Sequence, residues 1–510
     1  MPEQSWAEGY VVDVDYTQGY YRDLAPVLLR FVTLLGRVRA AQTDAAFTYY
    51  ELGCGHGFSA ALHAAANPAG RFIGVDFNPT HIQNAQLLAR DAGIGNVRFL
   101  EKSFAELLET DLPEAEIIGL HGVWTWIGDE QRRQIVEFIR RRLKPGGIVY
   151  LSYNCLPGLA QVAPLQRLLV EHASLGSGDR AEQVRRSIDF ATRLQQAGAL
   201  YFGASPLAKA RLARLGTQDP HYVAHEYYNA NWSLYYHADV ARALGEAKLN
   251  FVGSTALLDN FEQFVLKPEM AKLVAEVKDR TVAETVKDFA RNQVFRKDVF
   301  ARGALQATPA ELDTMLGRTR FALARPRSRC TLKGATPAGQ VTLNEEAYAP
   351  VLDALARAPM TFEELGRAPE TRKLDHKQLR QAVFGMAALG NVLPALPAAG
   401  EEARRAATAR FNKAVLSKPA SGPADSVLAS PVLGSGMFVN FIDRIFLDGP
   451  QGEREAADYV QAVMAKRGLK LAKGEKAVEG ESELRTVLTE RARFFFTELL
   501  PFYRQLGVLD

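Results

Sequence analysis

Residues 49–57 read YYELGCGHG. An apolar run ends in the acid Glu51. Gly53, Gly55 and Gly57 follow, alternating with other residues. Glycine recurs like this where the chain turns sharply or where a ligand comes close to bare backbone. Just upstream, FTYYEL (47–52) has the composition of a buried strand. Just downstream, SAALHAAANP has that of a helix stopped by Pro68. A strand that passes through glycines into a helix places this turn beyond a strand's carboxyl end, where ligands bind on open α/β sheets.

Working outward, the same alternation repeats. RFIGVD (71–76) is a second strand ending in an acid. PTHIQNAQLLARDAG is a helix with Pro79 near its start and Gly93 past its end. VRFLE (97–101), AEIIGLHG (115–122) and GIVYLSYN (147–154) are three more strands, the last preceded by the amphipathic DEQRRQIVEFIRRRL. Strands alternating with helices predict a parallel sheet covered on both faces. Residues 156–222 are helical and turn-punctuated. HADVARALGEA then forms a helix, and LNFVGS (249–254) and FEQFVL (261–266) read as two strands joined by a short loop. A parallel sheet closed by such a hairpin is the Rossmann-like, seven-stranded α/β layout of class I S-adenosylmethionine (SAM) methyltransferases, with 156–222 as a helical insertion.

The glycine spacing separates two cofactors. Gly53, Gly55 and Gly57 give G-x-G-x-G, and the sixth position is Phe58, not the glycine of the dinucleotide fingerprint. With Glu51 two residues before Gly53, the spacing resembles SAM-binding motif I, and Cys54 lies within the loop. Asp76 ends the second strand 23 residues after Gly53 and can accept hydrogen bonds from both ribose hydroxyls. Phe77 follows it. Ser103 and Phe104 come after strand three, where an adenine lies; Phe104 as core packing is the alternative. His121 and Gly122 come after strand four, with an ordinary satisfied histidine as the competing reading. An NAD-type site is the alternative cofactor reading.

HGVWTWIGD follows strand four. Trp124 and Trp126 in one loop either wall a pocket for a cationic group or plug the sheet end. Tyr153 and Asn154 end strand five, over the same cleft. Tyr16 and Tyr20 share a face if their segment is helical. Glu226 sits in the aromatic cluster HYVAHEYYNANW (221–232), suited to a lysine head group or simply to a loop with buried rings.

The whole chain has 510 residues, a net charge of +3, and three scattered cysteines. This charge is too weak to favour a nucleic-acid partner. The cysteines fit a reducing compartment, and no 18-residue apolar run predicts membrane insertion, so the expectation is cytoplasmic. No cysteine or histidine spacing suggests a metal. Beyond Lys267, Thr308-Pro309 with Glu311 opens one helix and Thr361 with Glu364 another. Helices at EEAYAPVLDALAR, TFEELGRA and HKQLRQAVFGMAALG followed by NVLPAL resemble a winged helix, with protein docking favoured over DNA. SKPASGPADS (417–426) is linker-like. The expected division is 1–45 lid, 46–267 catalytic core, 268–335 middle region, 336–400 winged-helix-like unit and 401–510 C-terminal α/β domain.

ELGCGHG, HGVWTWI, LSYNCLPG, AHEYYNANW, EAKLNFVGS and DFARNQVFRKDVFARG together resemble bacterial protein-lysine methyltransferases of the type known from rickettsiae, with a methyltransferase regulatory domain behind the core. The resemblance implies SAM as cofactor held by Glu51, Gly53, Gly55 and Asp76. It implies a catalytic pocket lined by His121, Trp124 and Trp126 with Tyr16 and Tyr20 nearby, a protein substrate, and homodimers through the insertion. Its expected reaction is in-line methyl transfer to a deprotonated lysine amine. The alternatives are a small-molecule or RNA methyltransferase, or a SAM-binding scaffold.

Overall fold

The computed structural model describes residues 9–12, 19–39, 46–176, 178–418, 426–469, 471–473, 476–478 and 480–509. Tyr16 and most of the linker at 417–426 lie outside them.

The catalytic half is a seven-stranded sheet. Its strands are β1 (Phe47–Leu52), β2 (Gly70–Asp76), β3 (Val97–Glu101), β4 (Ala115–Leu120), β5 (Leu143–Asn154), β6 (Leu249–Ser254) and β7 (Phe295–Arg302), in the order β3-β2-β1-β4-β5-β7-β6. Pairings among β1 to β5 are parallel; β7 runs antiparallel to both neighbours, β5 and β6. Every residue of β1 except Thr48 is buried, as befits a central strand covered on both faces. The helices α1 (Pro26–Leu35), α2 (Phe58–Ala66), α3 (Pro79–Asp91), α4 (Phe104–Leu108) and α5 (Asp129–Arg142) accompany the first five strands. The order turns back at β1, which has β2 on one side and β4 on the other. The glycine turn therefore opens at the topological switch point.

One expected strand is not a strand. FEQFVL carries a short helix over Glu262–Val265, and the hairpin partner of β6 is β7, reached through two further helices. Phe264 and Val265 bury against core residues as helix, so an apolar run this short does not distinguish the two states. The catalytic sheet therefore extends to Arg302, not to residue 267.

The insertion is helical: α6 (Ala163–Ser174), α7 (Arg180–Gln196), α8 (Leu200–Ala204), α9 (Pro206–Leu215) and α10 (Pro220–Tyr227), around a small apolar core of its own. Then come α11 (His237–Gly245), α12 (Glu262–Val265), α13 (Pro268–Glu276) and α14 (Arg280–Arg291). Beyond β7, α15 (Pro309–Arg318) opens with the expected capping box, as does the helix after Thr361. A three-stranded antiparallel sheet of β8 (Arg320–Leu323) between 360–361 and 392–395 packs with α16 (Glu345–Arg357), α17 (Phe362–Arg367) and α18 (His376–Ala388). The C-terminal domain begins with α19 (Glu401–Leu416), carries a hairpin at 427–438 and ends in helices. No helix among the described residues is long and apolar enough to cross a membrane.

Candidate functional site

A cleft opens at the carboxyl ends of β1, β2 and β4. Counted out through its mouth into solvent, the space it borders is about 1130 Å³. Its floor is the glycine turn. Gly53, Gly55 and Gly57 all hold positive φ, at +71°, +52° and +69°. A Cβ on Gly53 would stand 2.5 Å from Val123 Cγ2, whereas one on Gly55 would meet nothing within 4 Å. Gly53 is thus bare for packing, and Gly55 is bare on the side that opens into the cleft. Gly57 leads into α2, all nine of whose residues are buried.

Asp76 at the end of β2 knits the turn to the next helix. Its Oδ2 accepts from Gly55 N–H (2.9 Å); its Oδ1 accepts from Asn78 N–H (3.0 Å) and lies 3.2 Å from His81 Nδ1. Each carboxylate oxygen has two lone-pair sites, so capacity remains for hydroxyl donors in the cleft. Glu51 is different. It is 4% exposed, its Oε2 has no hydrogen-bond partner among the described residues, and burial pushes its carboxyl up to about 8. A buried acceptor left unpaired at the wall of a cleft marks where a cationic ligand group fits. Open backbone at Gly55, an orphaned acid at Glu51 and an acid with spare acceptor sites at Asp76 fit SAM, with its ammonium and its ribose hydroxyls.

Of the residues expected from sequence, Glu51, Gly53, Cys54, Gly55, Gly57, Asp76, Phe77, Ser103, Phe104, His121, Gly122 and Trp126 all line this cleft. His121 Nδ1 is 2.8 Å from Tyr150 Oη, and burial pulls its imidazole down to about 4, so it is neutral at physiological pH. Ser103 also caps α4 in a full capping box with Glu106.

Four residues are elsewhere. Tyr20 turns away: its Oη accepts from Gly436 N–H (2.6 Å) in the C-terminal domain. The segment there is extended, not helical, so adjacent side chains diverge and Tyr21 faces the cleft instead, its ring stacked on His121 at 3.8 Å. Trp124 is 2% exposed and belongs to the core beneath the sheet. Tyr153 is fully buried; its Oη donates to Asp298 Oδ2 (2.7 Å) inside an ion cluster. Asn154 lies at the end of β5, where its N–H donates to Thr125 Oγ1 (2.9 Å), and it does not line the cleft. Alternation along a strand sends successive side chains to opposite faces, and that of Tyr153 is taken by Asp298.

Sequence reading missed Tyr10, Tyr21, His56, His81, Lys102 and Gln131, which also line the cleft. His56 stands inside the glycine turn and was legible by position. Tyr10 was not, because nothing local marks a residue 67 positions upstream of Phe77 as reaching it, 6.0 Å away edge to face.

Glu226 lies just outside the lining. Trp126 Nε1 and Trp232 Nε1 both donate to its carbonyl, at 3.4 and 3.1 Å. Burial raises its carboxyl to about 7, with Arg211 opposing. Its charge is felt at Tyr10 in the cleft: burial first, then Asp76 and Glu226, raise that hydroxyl.

Comparison with known proteins agrees with this geometry. Residues 50–147 match a methyltransferase domain and residues 219–302 a predicted methyltransferase regulatory domain. The uncharacterized protein sll1526 of Synechocystis is 37% identical over 504 residues, covering 99% of this chain and all of that protein. RP789 of Rickettsia prowazekii is 25% identical over 303 residues, 58% of this chain and 53% of its own. PKMT2 from Rickettsia typhi shares the fold across 97% of this chain and 99% of its own, with a TM-score of 0.67 and 17% identity; its complex with AdoHcy gives 0.70 and 19%. The chain belongs to one family with sll1526, of bacterial SAM-dependent methyltransferases in which a class I catalytic domain is joined to a methyltransferase regulatory domain.

Proposed function

We propose that this methyltransferase acts on lysine side chains of proteins. The observation that carries the reading is the pairing of an aromatic cleft wall with a partly buried acid: Tyr10, Tyr21 and Trp126 line the cleft, the backbone carbonyl of Glu226 accepts from Trp126 Nε1, and the Glu226 charge acts on Tyr10. Aromatic faces attract a cation by about 0.5 to 2 kcal/mol, and the acid adds Coulomb attraction. An aromatic, water-poor channel also lowers the cost of the neutral amine, which is the form that attacks. With its carboxyl near 7, Glu226 accepts a proton at physiological pH and releases it to water. The likeness of HGVWTWI and LSYNCLPG to bacterial protein-lysine methyltransferases supports the same reading.

SAM, when bound, supplies the electrophilic methyl group. Glu51 holds its ammonium, Gly55 admits it against the backbone, and Asp76 holds its ribose. Tyr21 and Trp126 exclude water and align the acceptor, which is where an in-line displacement gains its rate.

Tritiated-methyl SAM incubated with the enzyme and whole-cell or envelope protein tests this. Label mapped to lysine, reduced about tenfold or more in kcat/KM by Glu226→Gln with SAM affinity kept, is the expected result. Label confined to RNA or metabolites overturns it.

A further inference from the structure

Helix α2, FSAALHAAA, is buried along its whole length, yet it carries two polar side chains, Ser59 and His63. They are 2% and 0% exposed. A polar group buried this far costs free energy unless it is hydrogen-bonded, and alanine or leucine at either position would suit the helix better. Spaced i, i+4, the two share one face, one turn apart.

Both serve one residue. Ser59 Oγ accepts from Tyr21 N–H (3.0 Å) and donates to the Gly19 carbonyl (3.5 Å). His63 Nε2 lies 3.3 Å from the Tyr21 carbonyl. Burial pulls the imidazole down to about 4, so at physiological pH the ring is neutral and has a single N–H. A carbonyl only accepts, so that proton is on Nε2. Nδ1 is then a buried acceptor with no hydrogen-bond partner among the described residues. On either side of Tyr21, Tyr20 and Arg22 turn instead to the Gly436 backbone, and the Tyr20 ring lies 5.6 Å from that of His63. Tyr21, held at its N–H and its carbonyl, presents its ring to the SAM cleft against His121.

We propose that His63 is a positioning residue for methyl transfer: its Nε2–H, with Ser59 one turn away, fixes the Tyr21 backbone so that the Tyr21 ring stays at the cleft wall. His63 lines no part of the cleft itself and acts through Tyr21. Because α2 starts at the glycine turn, one helix then sets both the cofactor loop and an aromatic wall of the cleft. The proposal does not depend on which acceptor is methylated.

The purified full chain is assayed at saturating SAM with a lysate of cells lacking the enzyme, which offers protein, RNA and metabolites together, and the AdoHcy it adds is measured. His63→Leu is expected to lower the rate about tenfold or more, the scale of misplacing an aligning group, while SAM affinity and melting temperature stay at or above wild type. His63→Gln, which keeps a side-chain N–H donor, retains most of the rate. Tyr21→Ala lowers the rate as well, and His63→Leu added to Tyr21→Ala lowers it no further, since a residue that acts through the Tyr21 ring has nothing left to place. His63→Met stands in for His63→Leu if leucine does not pack. A wild-type rate in His63→Leu or in Tyr21→Ala, or losses that multiply in the double variant, overturns the proposal.

Discussion

Glu51 is a carboxyl group that burial holds in the neutral form, the wrong state for a cationic ligand group. Burial pushes it up to about 8, so at pH 7 the free protein carries it mostly protonated. An ammonium group arriving beside it restores the charged form and drives the proton off. SAM binding at pH 7 is therefore expected to release close to one proton, read as a calorimetric enthalpy that changes with the ionisation enthalpy of the buffer. Glu51→Gln abolishes that dependence and weakens SAM binding. The linkage also runs through folding. The folded value lies above the unfolded one of roughly 4.3, so stability from this group is full below that pH and is lost as pH rises through about 8. Without SAM, Glu51→Gln should melt higher than wild type at pH 8 and differ little at pH 4. A buffer-independent binding enthalpy, or equal melting at pH 8, rules out this role.

At the scale of elements, strand β7 is the piece that orders its surroundings. Burial alone lifts Asp298, but Arg296 and a hydrogen bond with His237 outweigh it and hold the carboxyl down at about 2. Tyr153 on β5 gives Asp298 one more donor. Tyr153→Phe is expected to cost about 1 to 3 kcal/mol of stability by removing it, while kcat and SAM affinity stay near wild type. A large fall in kcat at unchanged stability would return Tyr153 to the catalytic pocket. This cluster also shows where sequence legibility stops. β1, β3 and β6 match their apolar runs residue for residue, and the cofactor half of the cleft follows from Glu51, three glycines and Asp76, because each is fixed by local backbone geometry. The acceptor half depends on pairings across long stretches of chain. Tyr21 rather than Tyr20, Trp126 rather than Trp124, and β7 rather than 261–266 were settled by packing against partners that no local pattern names.

Across the whole molecule, one apolar core runs from the back of the cofactor site into the C-terminal domain. Helix α2 begins at the glycine turn and is covered on its far side by α19 and the hairpin at 427–438. Phe58, its first residue, meets Phe411 edge to face at 5.6 Å, and Asn67 Nδ2 donates to Gly434 carbonyl (3.0 Å). Tyr20 and Arg22 tie the N-terminal segment to Gly436 from the same side. Helix α19 and the hairpin at 427–438 therefore brace the helix that starts at the glycine turn, although Phe411 lines no part of the cleft. Phe411→Ala removes a fully buried ring and is expected to cost about 3 to 5 kcal/mol. If α2 needs this support, SAM affinity falls as well, through a residue that never touches the cofactor. Phe438→Ala, at a side chain 55% exposed in the same domain, should leave both unchanged. Thermal unfolding and SAM titration of the two variants decide the matter. A destabilised Phe411→Ala that still binds SAM like wild type at a temperature where it is folded would show that the cofactor turn holds its shape without the domain behind it.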